Sequence, residues 1–404
     1  MKFVDHLAID GNEPLRSEPF APWPYFERDE IAVVENVLAS GKVNYWTGQE
    51  GRKFEEEFAS FVGCQYAIAL ANGTVALELA LYALGIGPGD EVILTSRTFI
   101  ASASCVVMRG ATPVMADVDL VSQNVTADSI RAVLSPRTKA IIAVHLAGWP
   151  CEMDPILALA NEYGLKVIED CAQAHGATYK GKLVGSLGDV AAFSFCQDKI
   201  MTTGGEGGMF TTNDRQIWEK AWAFKDHGKS YDAIYNREAK PGFNWVHDSF
   251  GTNWRITEMQ AAIGRVQLLK LPAWLETRRR NALILRQCFE KIPGLRVTVA
   301  PEYVDHAYYK FYTFTKSEML KAGWDRDKIM LAIVAEGVPC FSGSCSEIYL
   351  EKAFPKSMRP PARLPIAKQL GETSLMFLVH PTLEEKDMHD ICQAVEKVMR
   401  AAVQ

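Results

Sequence analysis

The stretch KVIEDCAQAHGATYKGKLVGSLGDVAAFSFCQDKIMTTGGEGGMFTT, residues 166–212, decides the fold of this 404-residue chain. Three short apolar runs stand out in it: KVIEDC, VAAFSF and GGMFTT. Each has strand length, and each is apolar on both faces rather than alternating, as strands buried between two layers are. Upstream the same runs alternate with helical patterns. YAIAL precedes GTVALELALYALG; EVILT precedes a helix over about Phe99–Arg109; TPVMADV precedes DSIRAVL; KAIIAVHLA precedes DPILALANEYG. Strands alternating with helices predict βα units around a mostly parallel sheet flanked by helices, an α/β fold. In LGIGPGDEV and NEYGLKVIED a glycine closes each helix just before the next strand.

Outside this block the rhythm changes. Residues 1 to about 25 are proline-rich and irregular (EPFAPWPYF), which predicts an arm lying on another surface. Helices are expected over Arg28–Ser40, ended by Gly41, and over about Gly51–Phe61. After Asp214 the pattern turns helical. Ile256 to about Ile292 is a long helical stretch in which Pro272 is expected to bend or break the helix. RVTVA and YYKFYTF have strand character, DRDKIMLAIVAEG is helical, and a last helix runs from Glu384 to about Ala402. The expected division is therefore a large domain with its arm, 1–270, and a smaller C-terminal α+β domain, 271–404.

Composition narrows the function. Apolar residues make up 48% of the chain, enough for a substantial core, and the net charge of −6 is spread without a basic stripe. Nucleic acid is thus not an expected partner. The opening MKFVDHLAIDGNEP lacks the apolar region of a signal peptide. No apolar run approaches the roughly 20 residues that span a bilayer, so no membrane association is expected. Nine scattered cysteines with no CxxC pair read as reduced thiols, which points to the cytoplasm. Cys340 and Cys345 come nearest to zinc-ligand spacing, and no metal is expected.

Three signals fall where a strand ends and the next helix begins, the edge at which open α/β sheets bind ligands. Asn72-Gly73-Thr74 follows YAIAL. Free N–H groups and the helix dipole make such a turn a phosphate site, though an ordinary helix cap has the same residues. Glu169-Asp170-Cys171-Ala172-Gln173 closes KVI. Its carboxylate could pair with a protonated ring nitrogen, or simply cap a helix. Lys199 follows FSF and precedes TTGGEGG. It could be a desolvated nucleophile that forms an imine, or a surface lysine before a tight turn. A phosphate cradle, a carboxylate and a lysine together are the groups that pyridoxal 5'-phosphate requires.

On these motifs the chain resembles the DegT/StrS-type sugar aminotransferases, which have the pyridoxal-phosphate-dependent transferase fold type I. The likeness runs from about Glu18 to the C-terminus. It includes NGTVALELALYALGIGPGDEV, TFIASA, SPRTKAII, VHLAG and NWRITEMQAAIG, and rests above all on EDCAQAHGA followed by FSF, Lys199 and TTGGEGG.

The resemblance implies that Lys199 carries the cofactor as an imine and shuttles a proton, and that Asp170 pairs with the ring nitrogen. It implies that Gln173 bonds the ring hydroxyl side, that Gly73, Thr74 and Ser194 hold the phosphate, and that Phe99 stacks on the ring. Asn253 resembles a residue that reaches the phosphate from a neighbouring subunit, which implies a homodimer with shared sites. The implied substrates are glutamate and a nucleotide-linked keto-sugar, a 4-keto-6-deoxy-hexose of UDP-N-acetyl type. A keto-cyclitol or antibiotic precursor is the alternative, and a non-catalytic cofactor-binding regulator is another.

The sequence departs from the family pattern at Arg97, where a smaller residue is expected, and at Cys196-Gln197-Asp198. A relative branch with histidine in place of the lysine performs dehydration; Lys199 argues against that branch. His145, His175 and His380 read as structural. Arg97, Lys229 and Arg255 are candidates for binding the diphosphate. The stretch Cys340–Ser346 is a candidate substrate-facing loop.

Overall fold

Asn72, Thr257 and the apolar strands organise the computed structural model, which describes residues 6–238 and 241–404. Two helices, α1 (Arg28–Ser40) and α2 (Glu50–Val62), lead into the sheet. There β1 (Tyr66–Leu70), β2 (Glu91–Thr95), β3 (Thr112–Ala116), β4 (Thr138–Val144) and β5 (Lys166–Asp170) alternate with α3 (Gly73–Ala83), α4 (Ala101–Met108), α5 (Ala127–Arg131) and α6 (Met153–Tyr163). A small hairpin of β6 (Thr178–Tyr179) and β7 (Lys182–Leu183) follows, then β8 (Val190–Ser194) and β9 (Gly208–Thr212).

The central sheet has seven strands in the order β1-β9-β8-β5-β4-β2-β3. All its pairings are parallel except those of β9, which runs antiparallel to both β1 and β8. Every residue of β2, β8 and β9 is buried, as a sheet covered on both faces demands. On one face α3 supplies Leu77, Leu79 and Leu81; on the other α2 supplies Phe54 and Phe58.

After α7 (Arg215–Phe224) and α8 (Tyr231–Tyr235) comes α9 (Glu258–Phe289), started by a capping box of Thr257 and Gln260. It runs for 32 residues through Pro272, so of the expected bend or break the break is corrected. A proline removes one backbone donor, and the flanking Leu271 and Leu275 are both buried against the large core, which holds the helix together across it. The remaining chain forms a three-stranded antiparallel sheet from β10 (Leu295–Val297), β12 (Phe311–Thr315) and β13 (Ser374–Phe377), while β11 (Val304–Asp305) pairs with β6. With α10 (Arg326–Ala335), α11 (Pro365–Thr373) and α12 (Glu385–Ala402) this is the smaller α+β unit, with its own core of Phe289, Ile329, Leu375, Phe377 and Val395. We place the boundary between 1–270 and 271–404 inside α9.

The N-terminal arm lies across the smaller unit. Ala8 N–H donates to Glu336 Oε1 at 2.8 Å, and Arg16 pairs with Asp387 at 2.9 Å and Asp390 at 2.6 Å. The arm then crosses back, and Trp23 Nε1 donates to the Lys199 carbonyl at 2.8 Å.

Candidate active site

The C-terminal ends of β1, β5 and β8 meet at one edge of the sheet, and the three sequence signals meet there with them. Asn72 caps α3 by accepting from Val75 N–H at 3.0 Å. The first turn of α3 is pressed onto the end of β8: a Cβ at Gly73 would lie 2.6 Å from the Ser194 Cβ. Only glycine permits that approach, which sets the Ser194 hydroxyl beside the helix N-terminus with Thr74 exposed next to it. Backbone donors, a helix dipole and two hydroxyls make this a cradle for a phosphate.

Asp170 ends β5 and is 5% exposed. Its Oδ2 accepts from Ser102 Oγ at 2.9 Å and its Oδ1 from Ala172 N–H at 3.2 Å. Burial raises its pKa, and the Ser102 hydrogen bond opposes the rise. Among the described residues no cation pairs with this carboxylate. The adjacent Glu169 does different work: it accepts from Gly185, Leu187 and Gly188 N–H groups and meets His145 Nε2 at 3.0 Å. Because His145 Nδ1 accepts from Cys151 N–H, the proton sits on Nε2, and the pair braces the strand end. Gln173 is held by its Oε1, which accepts from Ala147 N–H at 2.7 Å, so its amide nitrogen remains a donor.

Lys199 lies in the connection between β8 and β9, its side chain 18% exposed. Its Nζ is 3.4 Å from Asp198 Oδ1 and 5.2 Å from the centre of the Tyr309 ring. The Tyr309 hydroxyl donates to Asp198 Oδ2. Burial pushes the Asp198 pKa up, but the Lys199 charge and the Tyr309 hydrogen bond outweigh it and hold the carboxyl below its usual range. The sequence reading noticed Asp198 only as a variable position and missed Tyr309, which comes from the smaller unit 111 residues away.

Phe99 is 69% exposed, a flat apolar ring presented just before α4. The loop 340–346 docks beside it, where Cys345 carbonyl accepts from Thr98 N–H at 3.1 Å. Asn253 is exposed; its neighbour Trp254 accepts from Ala71 N–H, so Asn253 stands close to the segment that leads into the α3 cap. Arg97 is not at any mouth: it is fully buried, with Nε donating to Gln123 and Nη2 to Ser374. Lys229 and Arg255 are both tied to Asp226. His175 is buried between Phe193 and Phe195, and His380 Nδ1 meets Thr382 Oγ1 at 2.8 Å.

Pyridoxal phosphate fits this arrangement. Among the described residues the buried Asp170 carboxylate has no cation, which a ring nitrogen would supply; the Gly73–Ser194 contact sets a hydroxyl beside the N-terminus of α3, where a phosphate would bind; and Lys199 stands at the same sheet edge.

The DegT/DnrJ/EryC1/StrS aminotransferase family model matches residues 24–396. The chain is 39% identical to a GDP-perosamine synthase of Caulobacter vibrioides, covering 88% of this chain and 92% of that protein. It is 38% identical to a UDP-N-acetyl-3-dehydro-α-D-glucosamine 3-aminotransferase of Acidithiobacillus ferrooxidans, over 92% of this chain and 94% of the other. Among solved structures, an aminotransferase from Psychrobacter cryohalolentis is 57% identical and superposes with a TM-score of 0.93, covering 95% of this chain and 99% of that one. The chain therefore belongs to the DegT/DnrJ/EryC1/StrS family and is a pyridoxal-phosphate-dependent aminotransferase.

Proposed function

We propose that the enzyme moves an amino group from glutamate to a nucleotide-linked keto-sugar, a 4-keto-6-deoxy-hexose of UDP-N-acetyl type, and places it on carbon 4. The observation that carries the reading is the convergence of Lys199, Asp170 and the Gly73–Ser194 cradle at one sheet edge, in a chain whose relatives are named for nucleotide sugars. When bound, pyridoxal phosphate supplies an electron sink that stabilises a carbanion next to the amine.

The protein's own residues do the rest. Lys199 Nζ would hold the cofactor and would move the proton at the reacting carbon. Asp170 holds the ring nitrogen protonated. Gln173 would donate to the ring hydroxyl, Phe99 would cover a ring face, and Gly73, Thr74 and Ser194 would hold the phosphate. Asn253 completes that phosphate site from a neighbouring subunit, in a homodimer with shared sites. Its segment also exposes Phe243, Trp245 and Phe250, apolar surface that a second subunit would cover. Among the described residues no helix is long and apolar enough to cross a membrane; we place the enzyme in the cytoplasm.

The test is incubation of the holoenzyme with glutamate and a panel of nucleotide keto-sugars, read by mass spectrometry and NMR. An amine on carbon 3, the position in the name of the Acidithiobacillus relative, would overturn the regiochemistry. Turnover of a free keto-cyclitol with none of any nucleotide sugar would overturn the substrate class. No turnover of any ketone would leave the regulator reading.

A further inference from the structure

Behind Lys199 the structure collects more positive charge than it neutralises. Arg278, on α9, is 1% exposed. Its Nη1 donates to the Tyr309 and Tyr308 carbonyls at 3.3 and 3.4 Å, and its guanidinium lies 5.3 Å from the Trp23 ring centre. Among the described residues its Nε and Nη2 are buried without a hydrogen-bond partner. Lys310, half-buried at the start of β12, has its Nζ 4.8 Å from the centre of the Tyr309 ring, the ring that Lys199 also approaches. Among the described residues no carboxylate forms an ion pair with Arg278 or with Lys310. The one acid of the group, Asp198, is taken up by Lys199 and Tyr309.

An unpaired buried cation such as Arg278 is costly, and a half-buried lysine beside it adds to the cost unless an anion joins them. The strain shows in both groups. Burial pushes Lys310 down to about 8, against the pull of the Asp198 charge and with the Arg278 and Lys199 charges adding, and burial pushes Arg278 down to about 9.

We propose that Lys310, backed by Arg278, is the subsite for the α-carboxylate of the amino donor. The geometry of the donor motivates the choice of anion. Amine and α-carboxylate share one carbon, so a donor whose nitrogen reaches the carbon held by Lys199 must place that carboxylate close to Lys199 as well. The cofactor phosphate would take the cradle at Gly73 and Ser194. The inference rests on an amino-acid donor, as the reading above does.

The experiment replaces Lys310, whose partial exposure tolerates change, with methionine and with arginine. In Lys310→Met, KM for glutamate and for glutamine should each rise about 10- to 100-fold, the scale of a lost charged hydrogen bond, with kcat and the sugar KM nearly unchanged. Lys310→Arg should restore most of the loss. Glutarate, a dicarboxylate without an amine, provides a readout without turnover: calorimetry on the holoenzyme should show about tenfold weaker binding to Lys310→Met. An unchanged donor KM together with unchanged glutarate binding overturns the proposal, as does a rise confined to the sugar KM. A rise for glutamate but not glutamine overturns the assignment to the α-carboxylate. Should the wild-type enzyme aminate no ketone, the functional reading fails, and glutarate binding still decides the subsite.

Discussion

Asp198 and Tyr309, 111 residues apart, share a hydrogen bond beside the Lys199 ammonium: the tyrosine hydroxyl donates to one carboxylate oxygen while the other lies 3.4 Å from Nζ. The pair joins the lysine loop of the large unit to the segment that leads into β12 of the small sheet. Tyr309→Phe keeps the ring and removes the donor. We expect kcat to fall about tenfold, the worth of one charge-assisted hydrogen bond, with the cofactor still bound. Steady-state kinetics with the bound-cofactor absorbance checks both halves of that expectation. Unchanged kcat would show that the hydroxyl plays no part.

Asp170→Asn should retain the cofactor but lower turnover at least a hundredfold, because the neutral amide cannot hold the ring nitrogen protonated; losing one partner of a buried charge pair costs about 3–5 kcal/mol. Ser102→Ala removes only the hydroxyl that orients this carboxylate and should cost about tenfold. Near-normal turnover of Asp170→Asn would refute the role.

Gly73→Ala tests the cradle. Its Cβ would lie 2.6 Å from the Ser194 Cβ and 3.0 Å from the Ser194 Cα, so helix and strand must part. A loss of about 1–3 kcal/mol in stability is expected for such overpacking, along with weaker cofactor binding. Thermal melting and equilibrium dialysis measure the two. A variant equal to wild type in both would place the phosphate elsewhere.

Shared sites can be tested by mixing. Lys199→Ala and Asn253→Ala proteins are each expected to be inactive or nearly so, and a hybrid dimer carries one intact site. Recovery of activity on mixing is the expected result. No recovery under conditions where labelled subunits demonstrably exchange would mean that each site is built within one chain.

Stability should fall steeply in mild acid. Burial, with nearby cations adding, pushes His175, His306 and His380 each down to about 3. Each stays neutral in the folded protein while the unfolded chain takes up a proton near its ordinary pKa of about 6.5. Their contribution is therefore present above pH 6.5 and is lost as pH falls toward 3, at up to about 4 kcal/mol per pH unit for the three together. Melting temperatures between pH 7 and 5 check the trend. His175→Phe, in a slot already lined by Phe193 and Phe195, should make the slope shallower by one proton. An unaltered slope would mean that His175 titrates normally.

Much of this site was legible in the residues themselves because each signal is local. Asp170 and Gly73 stand at strand ends that their apolar runs mark out and Lys199 follows another, while Ser194 entered only through the family resemblance. What depends on distant packing was not legible. The direction of β9 cannot be read from GMFTT, since antiparallel and parallel strands buried on both faces look alike. Arg97 read as a surface cation, because nothing nearby announces that Gln123 and Ser374 will bury it. Pro272 read as a helix break, because the grip of Leu271 and Leu275 on the core comes from packing and not from local propensity. Tyr309 and Arg278 carry no local mark at all.

The arm carries a consequence for biosynthesis. Residues 16 and 390, which pair at 2.6 Å, are 374 positions apart, so the arm leaves the ribosome long before the helix on which it docks is made. Trp23, which that docking brings over the lysine loop, can settle on the Lys199 carbonyl only afterwards. Nascent chains would thus fold their large sheet while the lysine loop still lacks its lid of tryptophan. The vitamin-derived group would find its finished seat only on molecules whose translation has passed the helix Glu385–Ala402.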